Sequence, residues 1–142
     1  MNQIAVIYWS GTGNTQMMAE AVAQGARDAG AEVTLLSVSD TDAAAAASYD
    51  VLALGCPAMG GEVLEESEFE PFFSELEGKL SGKKVALFGS YDWGDGQWMR
   101  DWQQRTEAAG AKLVAAEGLI VHLTPEVADL AQCTALGKSL AE

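Results

Sequence analysis

A polar, glycine-rich segment near the start of the chain has the composition of a phosphate-binding loop. It directly follows an apolar run and consists of Ser10, Gly11, Thr12, Gly13, Asn14 and Thr15. Glycines let backbone N–H groups approach an anion, hydroxyls add donors, and a helix N-terminus adds partial positive charge. No lysine or arginine precedes Arg27, and Gln16 replaces the third glycine of the dinucleotide fingerprint, so neither that fingerprint nor the triphosphate loop is present. The segment therefore predicts a site for one phosphate group held by neutral donors.

Two later loops combine glycine with a large polarizable side chain. One consists of Pro57, Ala58, Met59, Gly60, Gly61 and Glu62, and the other consists of Ser90, Tyr91, Asp92, Trp93, Gly94 and Asp95. Met59 and Trp93 are suited to enclose a flat heteroaromatic ring through sulfur and π contacts. The alternative for each side chain alone is that it covers the end of the core. Three such loops together favour a site for a flat, phosphorylated ligand.

These loops follow apolar runs that are typical of strands buried on both faces of a parallel sheet. The runs cover residues 4–9, 33–38, 51–56, 85–89 and 119–123, and we expect a broken piece at 113–114 before the last of them. Helical periodicity separates them over residues 18–29, 69–80 and 98–109, and residues 43–47 predict a short helix. We expect Ser67 and Glu70 to form a capping box, and Thr124 and Pro125 to begin the last helix.

The alternation of strands and helices predicts an α/β fold, a three-layer, doubly wound, five-stranded parallel sheet. The pattern leaves the strand order open. With the order 2-1-3-4-5, a crevice would open between strands one and three at their carboxyl ends, where all three loops meet. No linker or repeat divides the chain, so we expect a single domain over residues 1–142.

The chain is strongly acidic, with 21 acidic and 8 basic residues and a formal net charge of −13. We therefore expect no nucleic-acid partner, because the phosphate backbone is bound by lysine and arginine. No basic residue occurs between Arg27 and Lys79, and such an acidic field can steer basic proteins toward this one. Acidity that serves only solubility is the alternative.

The two cysteines, Cys56 and Cys133, are too few for a disulfide scaffold, a four-cysteine zinc site or an iron–sulfur cluster. We interpret them as reduced core residues and expect a cytoplasmic protein. No apolar run approaches the ~18 to 20 residues that cross a bilayer, and the first three residues lack the basic character of a signal peptide. We therefore expect neither membrane insertion nor secretion.

The chain resembles the short-chain flavodoxins over essentially its whole length. The segments that carry the resemblance are YWSGTGNT at 8–15, AMG at 58–60, EESEFEPF at 65–72 and WGD at 93–95. The resemblance implies strand order 2-1-3-4-5 with flavin mononucleotide (FMN) bound non-covalently at the crevice. It further implies that residues 10–15 wrap the phosphate, that Met59 and Trp93 cover the two ring faces, and that residues 90–93 form a second ring-contacting loop.

The resemblance also assigns roles to the loop after the third strand. The peptide that follows Gly60 would reorient toward the flavin when it gains one electron, and Glu62 corresponds to the carboxylate that binds the pyrimidine edge. Two positions depart from the short-chain pattern. Asp92 stands where glycine is common, and Gly61 stands where aspartate or another side chain is common.

The function implied is that of a low-potential one-electron carrier, and not an enzyme with its own substrate. The first alternative is an FMN-dependent NAD(P)H quinone or nitro reductase, and the second is a regulatory domain built on the same sheet. A stable semiquinone on partial reduction would favour the carrier over both. We hypothesise that nearby carboxylates lower the potential of the flavin. They are Glu62, Glu65, Glu66, Asp92 and Asp95. We expect the protein to be a monomer. The expected partners are basic-faced redox enzymes such as a ferredoxin-type reductase, a pyruvate oxidoreductase, a hydrogenase or a nitrogenase.

Overall fold

A computed structural model describes residues 3–142, which form six strands and five α-helices. The strands are β1 (Gln3–Tyr8), β2 (Glu32–Ser37), β3 (Val51–Gly55), β4 (Lys84–Tyr91), β5 (Lys112–Leu113) and β6 (Leu119–His122). The helices are α1 (Asn14–Asp28), α2 (Ala43–Ala47), α3 (Phe69–Glu77), α4 (Gln97–Ala108) and α5 (Val127–Leu140). A single 3-10 turn covers Val38–Asp40. Among these residues, no helix is long and apolar enough to cross a bilayer.

All strand pairs of the sheet are parallel, and the order is β2-β1-β3-β4-β5. The short strand β5 pairs with the start of β4, and β6 pairs with its end, from Phe88 opposite Leu119 to Tyr91 opposite His122. The fifth position of the sheet is therefore one interrupted strand in two pieces. This confirms the predicted five-position fold and the broken piece near Leu113.

Alternate residues of each central strand face opposite layers of the molecule, as the period of two requires. In β1, Ala5 and Ile7 belong to the core beneath α3 and α4, whereas Ile4 and Val6 belong to the core beneath α1 and α5. The first core is rich in aromatic side chains, and the second is filled mainly by small and aliphatic ones. Helices on both faces leave the two edges and the strand ends as the places where a ligand can reach the sheet.

The helix starts differ from the predicted caps at two places. Helix α3 begins at Phe69 with Glu68 as its flanking residue, and no capping box joins Ser67 to Glu70. Its first N–H groups instead bond to Glu65, because that buried carboxylate reaches them from the preceding turn. The prediction for the last helix is also wrong.

The last helix, α5, begins at Val127, two residues beyond Pro125. The N–H of Glu126 donates to the carboxylate of Asp129 at 2.9 Å, so an acidic pair organises this start in place of Thr124. The predicted helix at residues 43–47 is confirmed, and the Asp42 carboxylate caps it by accepting from the N–H of Ala45 at 2.8 Å.

Candidate functional site

A cleft of about 190 Å³ opens at the carboxyl ends of β1, β3 and β4, where the three predicted loops meet. Eleven of the predicted residues line it, and they are Ser10, Gly11, Thr12, Asn14, Thr15, Pro57, Ala58, Met59, Ser90, Tyr91 and Asp92. The N–H of Ala58 donates to the carbonyl of Ser90 at 3.1 Å, which joins two of the loops. The cleft lies at the position where the strand order reverses, as expected for a doubly wound sheet.

The other predicted residues lie in the same loops but outside the lining of the cleft. They are Gly13, Gly60, Gly61, Glu62, Trp93, Gly94 and Asp95. Trp93 is 62% exposed. In this structure Met59 thus borders the cleft, whereas the indole of Trp93 is largely in solvent.

The segment from Ser10 to Thr15 turns directly into helix α1. Gly13 adopts φ 97° at the start of this helix, a left-handed conformation that glycine tolerates better than other residues. The Ser10 hydroxyl accepts from the N–H groups of Gly13 at 3.1 Å and Gln16 at 3.3 Å, and the Thr12 hydroxyl accepts from the N–H of Asn14 at 3.3 Å. The loop therefore holds its own shape through side-chain hydroxyls.

Other donors of this loop are left without a protein acceptor. Within residues 3–142, the backbone N–H groups of Gly11, Thr12 and Thr15 make no hydrogen bond. All three residues line the cleft, and the residue that flanks the start of α1, Gly13, has no side chain to bond these N–H groups. Free N–H groups at a helix N-terminus are the donor set that a phosphate ester needs, so the residues present fit the FMN phosphate.

Thr15 connects this loop to strand β4. Its hydroxyl lies 3.0 Å from the hydroxyl of Ser90 and accepts from the Ser90 N–H at 3.3 Å, and both side chains are buried. The sequence predicted Thr15 as one of the residues that wrap the phosphate, with the hydroxyls of the segment as additional donors. In this structure the Thr15 hydroxyl bonds to Ser90, and the backbone N–H of Thr15 makes no hydrogen bond to residues 3–142.

The loop after β3 closes on itself through Met59 and Val63. Each of these residues donates its N–H to the carbonyl of the other, at 2.9 and 3.1 Å. The turn between them places Gly60 at φ 39° and Glu62 at φ 58°, whereas Gly61 is not left-handed. A non-glycine residue in this region is uncommon, so the backbone at Glu62 is held by its surroundings.

The side chain of Glu62 provides that constraint. One carboxylate oxygen accepts from the N–H of Gly96 at 3.2 Å and of Gln97 at 3.0 Å, at the start of helix α4. A Cβ atom at Gly94 would lie 2.5 Å from the Glu62 Cδ atom, so only glycine fits there without displacement. Glu62 therefore links the Met59–Val63 turn to the loop that carries Trp93. The second carboxylate oxygen of Glu62 accepts no hydrogen bond from residues 3–142.

Two other carboxylates that we expected to lower the potential of the flavin already have hydrogen-bond partners in the protein. Arg100 donates to the Asp95 carboxylate at 2.9 Å and to the Asp95 carbonyl at 3.0 Å, which offsets the charge of that residue. Glu65 is 5% exposed, does not line the cleft and accepts from the N–H groups of Ser67, Glu68 and Phe69. The charge of Asp95 is therefore paired with a cation, whereas Glu65 keeps its charge but lies outside the lining of the cleft.

The pKa of Glu65 reflects this environment. Burial raises the pKa of its carboxyl, but hydrogen bonds from the Ser67 hydroxyl and from the amides of Phe69, Glu68 and Ser67 outweigh burial and hold the pKa below its ordinary value. The carboxyl is therefore ionised at neutral pH and acts as the anionic cap of α3.

Cys56 belongs to the core and directly follows β3. Its thiol is buried, and burial raises its pKa strongly. The Trp98 indole donates to the Cys56 carbonyl at 3.1 Å, and a Cβ atom at Gly89 would lie 2.1 Å from the same carbonyl oxygen. Cys133 is also buried and free, with its pKa raised to about 12 by burial. Both cysteines fit the predicted structural role.

Sequence reasoning missed three residues that border or support the cleft. Trp9 and Leu123 line it, and Leu123 has φ 62°. The His122 imidazole contacts the Asp92 carbonyl through Nε2 at 2.9 Å. The signal that could have found the last two is their place at the carboxyl end of β6, the strand next to β4. His122 itself is exposed.

Comparison with known proteins identifies the family. The family model for flavodoxin matches residues 6–136, and a flavodoxin of Clostridium beijerinckii is 52% identical over 96% of this chain and 97% of its own. This chain belongs to the flavodoxin family. A flavodoxin of Megasphaera elsdenii is 48% identical over 98% of both chains. The solution structure of that flavodoxin in its two-electron reduced form aligns with a TM-score of 0.86 and 46% identity, covering 97% of this chain and 98% of the other.

Family membership confirms the predicted fold, the FMN cofactor and the role of a one-electron carrier. Flavodoxins exchange electrons with larger redox enzymes and do not turn over a substrate of their own, so the reductase alternative is not favoured. The flavin supplies the redox chemistry when bound, and the protein supplies binding, orientation and electrostatics.

Proposed function

We propose that this flavodoxin holds FMN in the cleft through the three predicted loops, with the phosphate at the N-terminus of α1. The observation that supports this most directly is the set of N–H groups at Gly11, Thr12 and Thr15, which make no hydrogen bond to residues 3–142. Met59 and Trp93 are proposed to cover opposite faces of the flavin ring, and Trp93 closes onto it from its exposed position. The second oxygen of Glu62 is proposed to accept from the pyrimidine edge.

We further propose that the partners present basic faces and meet this protein at its cleft. Exposed acidic side chains lie at the cleft: Asp92 lines it, and Glu68 accepts from the indole N–H of Trp9, which also lines it. In contrast, Lys84 and Lys112 are the first residues of β4 and β5, so they lie at the amino ends of the strands, opposite the cleft. This separation of charge orients the cleft toward a cationic partner. A ferredoxin-type reductase, a pyruvate oxidoreductase, a hydrogenase and a nitrogenase are the proposed classes.

The remaining parts of the proposal concern the whole protein. We propose that residues 1–142 function as one domain, as a monomer and in the cytoplasm. The two buried free cysteines are compatible with a reducing compartment.

The test of the phosphate site is a comparison of FMN with riboflavin, which has the same ring but no phosphate. Flavin-free protein is titrated with each, and quenching of flavin fluorescence measures the dissociation constants. Hydrogen bonds to a charged group contribute about 1.5–3 kcal/mol each, so we expect riboflavin to bind at least ~100-fold more weakly than FMN. Equal affinities would contradict the proposed position of the phosphate.

The test of the carrier role is the oxidation of NAD(P)H by the FMN-loaded protein. We expect no multiple turnover unless a separate flavoprotein reductase is added. Steady turnover with a quinone or a nitro compound and no second protein would support the reductase instead.

A further inference from the structure

We propose that His122 is a positioning residue for the flavin-ring loop at residues 90–95, acting through the backbone of Asp92. The proposal rests on the proposed function, because this loop contacts FMN only if the cleft holds it. The contact that carries the proposal joins the His122 Nε2 atom to the Asp92 carbonyl oxygen at 2.9 Å. A carbonyl oxygen only accepts, so Nε2 carries the proton and donates in this contact.

His122 reaches Asp92 because β6 extends the sheet as far as β4 does. His122 is the register partner of Tyr91, and the next residue, Leu123, donates its N–H to the Tyr91 carbonyl at 2.8 Å. Leu123 takes φ 62° in doing so, and its side chain lines the cleft. The end of β6 thus follows the chain of β4 up to the point where the ring loop leaves the sheet.

The imidazole is held on its other side by an aromatic contact. The ring of His122 lies 5.0 Å from the ring of Tyr91, at an interplanar angle of 41°. Tyr91 in turn lies 5.7 Å from Trp98, which is 1% exposed and belongs to the core. This series of rings fixes the imidazole relative to the core, although His122 itself is exposed.

The Asp92 carbonyl is the last group of the flavin-ring loop that forms a hydrogen bond with a residue of the sheet. Trp93, Gly94 and Asp95 beyond it are exposed, and Gly94 has φ 91°. The C=O and N–H of a trans peptide point in opposite directions. A hydrogen bond from His122 to the Asp92 C=O therefore also turns the N–H of Trp93 away from His122 and resists rotation of that peptide.

The functional consequence is preorganisation of the loop. A loop whose backbone is already held at Asp92 loses less conformational entropy when the ligand binds, and the affinity for the ligand is higher for that reason. His122 therefore raises FMN affinity without contacting FMN. It also fixes the loop at Asp92, the position where this chain departs from the glycine common in short-chain flavodoxins.

The experiment separates the hydrogen bond from the aromatic contact with two variants. His122→Phe keeps a ring against Tyr91 and removes the donor, whereas His122→Gln keeps an N–H donor at a similar distance from the backbone and removes the ring. Val127→Ala serves as a surface control, because Val127 is 86% exposed. FMN dissociation constants are measured by fluorescence quenching. Amide hydrogen exchange at Trp93 is measured in the flavin-free proteins, and midpoint potentials in the loaded ones.

We expect His122→Phe to weaken FMN binding about 3- to 10-fold, as the loss of one hydrogen bond predicts. It should also speed exchange at Trp93 and shift the midpoint potentials, and His122→Gln should restore most of the wild-type values. Wild-type affinity together with unchanged exchange in His122→Phe would overturn the proposal. If the wild-type protein failed to bind FMN, the proposed function would fail, but exchange at Trp93 would still decide whether His122 orders the loop.

Discussion

The hydroxyl oxygens of Thr15 and Ser90 lie 3.0 Å apart beneath the cleft, and they join the first turn of α1 to the end of β4. These residues are 75 positions apart in the chain and come from two of the three predicted loops. Because both are buried, each satisfies the polar group of the other where water does not reach. The phosphate loop and the ring loop are therefore positioned by one contact.

We expect Thr15→Val to destabilise the protein by about 1–3 kcal/mol, because valine leaves the Ser90 hydroxyl and N–H without a buried partner. FMN affinity should fall as well, since the two loops are no longer held together. Urea denaturation and flavin titration measure the two effects. Thr15→Ser keeps the hydroxyl and should retain most of both properties; a Thr15→Val protein as stable as the Thr15→Ser protein would show that the contact contributes nothing.

Trp93 and Trp98 should respond differently to truncation. Trp93→Ala is expected to change the free energy of unfolding of the flavin-free protein by no more than ~0.5 kcal/mol, because Trp93 is 62% exposed. It should still weaken FMN binding strongly. Trp98→Ala should destabilise by about 3–5 kcal/mol, because Trp98 is 1% exposed and donates to Cys56. Undiminished FMN affinity in Trp93→Ala would contradict its role at the ring.

Close packing of α1 on α5 depends on two glycines that face each other's helix. A Cβ atom at Gly25 would lie 2.0 Å from the Thr134 carbonyl oxygen, and one at Gly137 would lie 2.0 Å from that of Val22. We expect either glycine-to-alanine substitution to destabilise by about 1–3 kcal/mol, although alanine favours helix.

The control for this prediction is Gly78→Ala. Gly78 follows α3 with φ −74° and has no atom within 4 Å of its added Cβ, so alanine should be neutral or slightly stabilising. Thermal unfolding of the three variants makes the comparison. Equal melting temperatures for Gly25→Ala and Gly78→Ala would mean that α1 and α5 can move apart without loss of stability, which would contradict the prediction.

The cap of α3 should make stability depend on pH. The pKa of Glu65 is lowered in the folded protein, so its stabilisation is present above the unfolded value of ~4.3 and is lost as pH falls through the folded pKa. Glu65→Gln should cost about 1–2 kcal/mol at pH 7, with a smaller difference from wild type in acid. Denaturant unfolding of both proteins from pH 7 to pH 3 measures this difference in the free energy of unfolding.

Glu66→Gln is the matched control, because Glu66 is exposed and makes no hydrogen bond among residues 3–142. It should leave stability nearly unchanged at every pH. A difference between Glu65→Gln and wild type that stayed constant down to pH 3 would argue against ionisation of Glu65 as its source.

Local pattern was sufficient to predict the strands and the layers, and the resemblance to flavodoxins supplied the strand order that places the cleft. Continuous apolar runs can be buried on both faces only in a covered sheet, and glycine with hydroxyl residues after a strand marks the point where a helix N-terminus meets solvent. Thr15 and Ser90 were both recognised as site residues for this reason. Their contact with each other was not, because it depends on how two distant loops approach.

The amino-acid sequence by itself therefore determined the fold class, the family and the loops that build the cleft, since each depends on residues close together in the chain. Only the tertiary structure decided which polar groups are already satisfied. Glu65 became the cap of α3, Glu62 became bonded to α4, and His122 came to hold Asp92. Each of these bonds joins groups whose partners are chosen by packing, and a carboxylate or an imidazole has the same chemistry wherever it lies in the sequence.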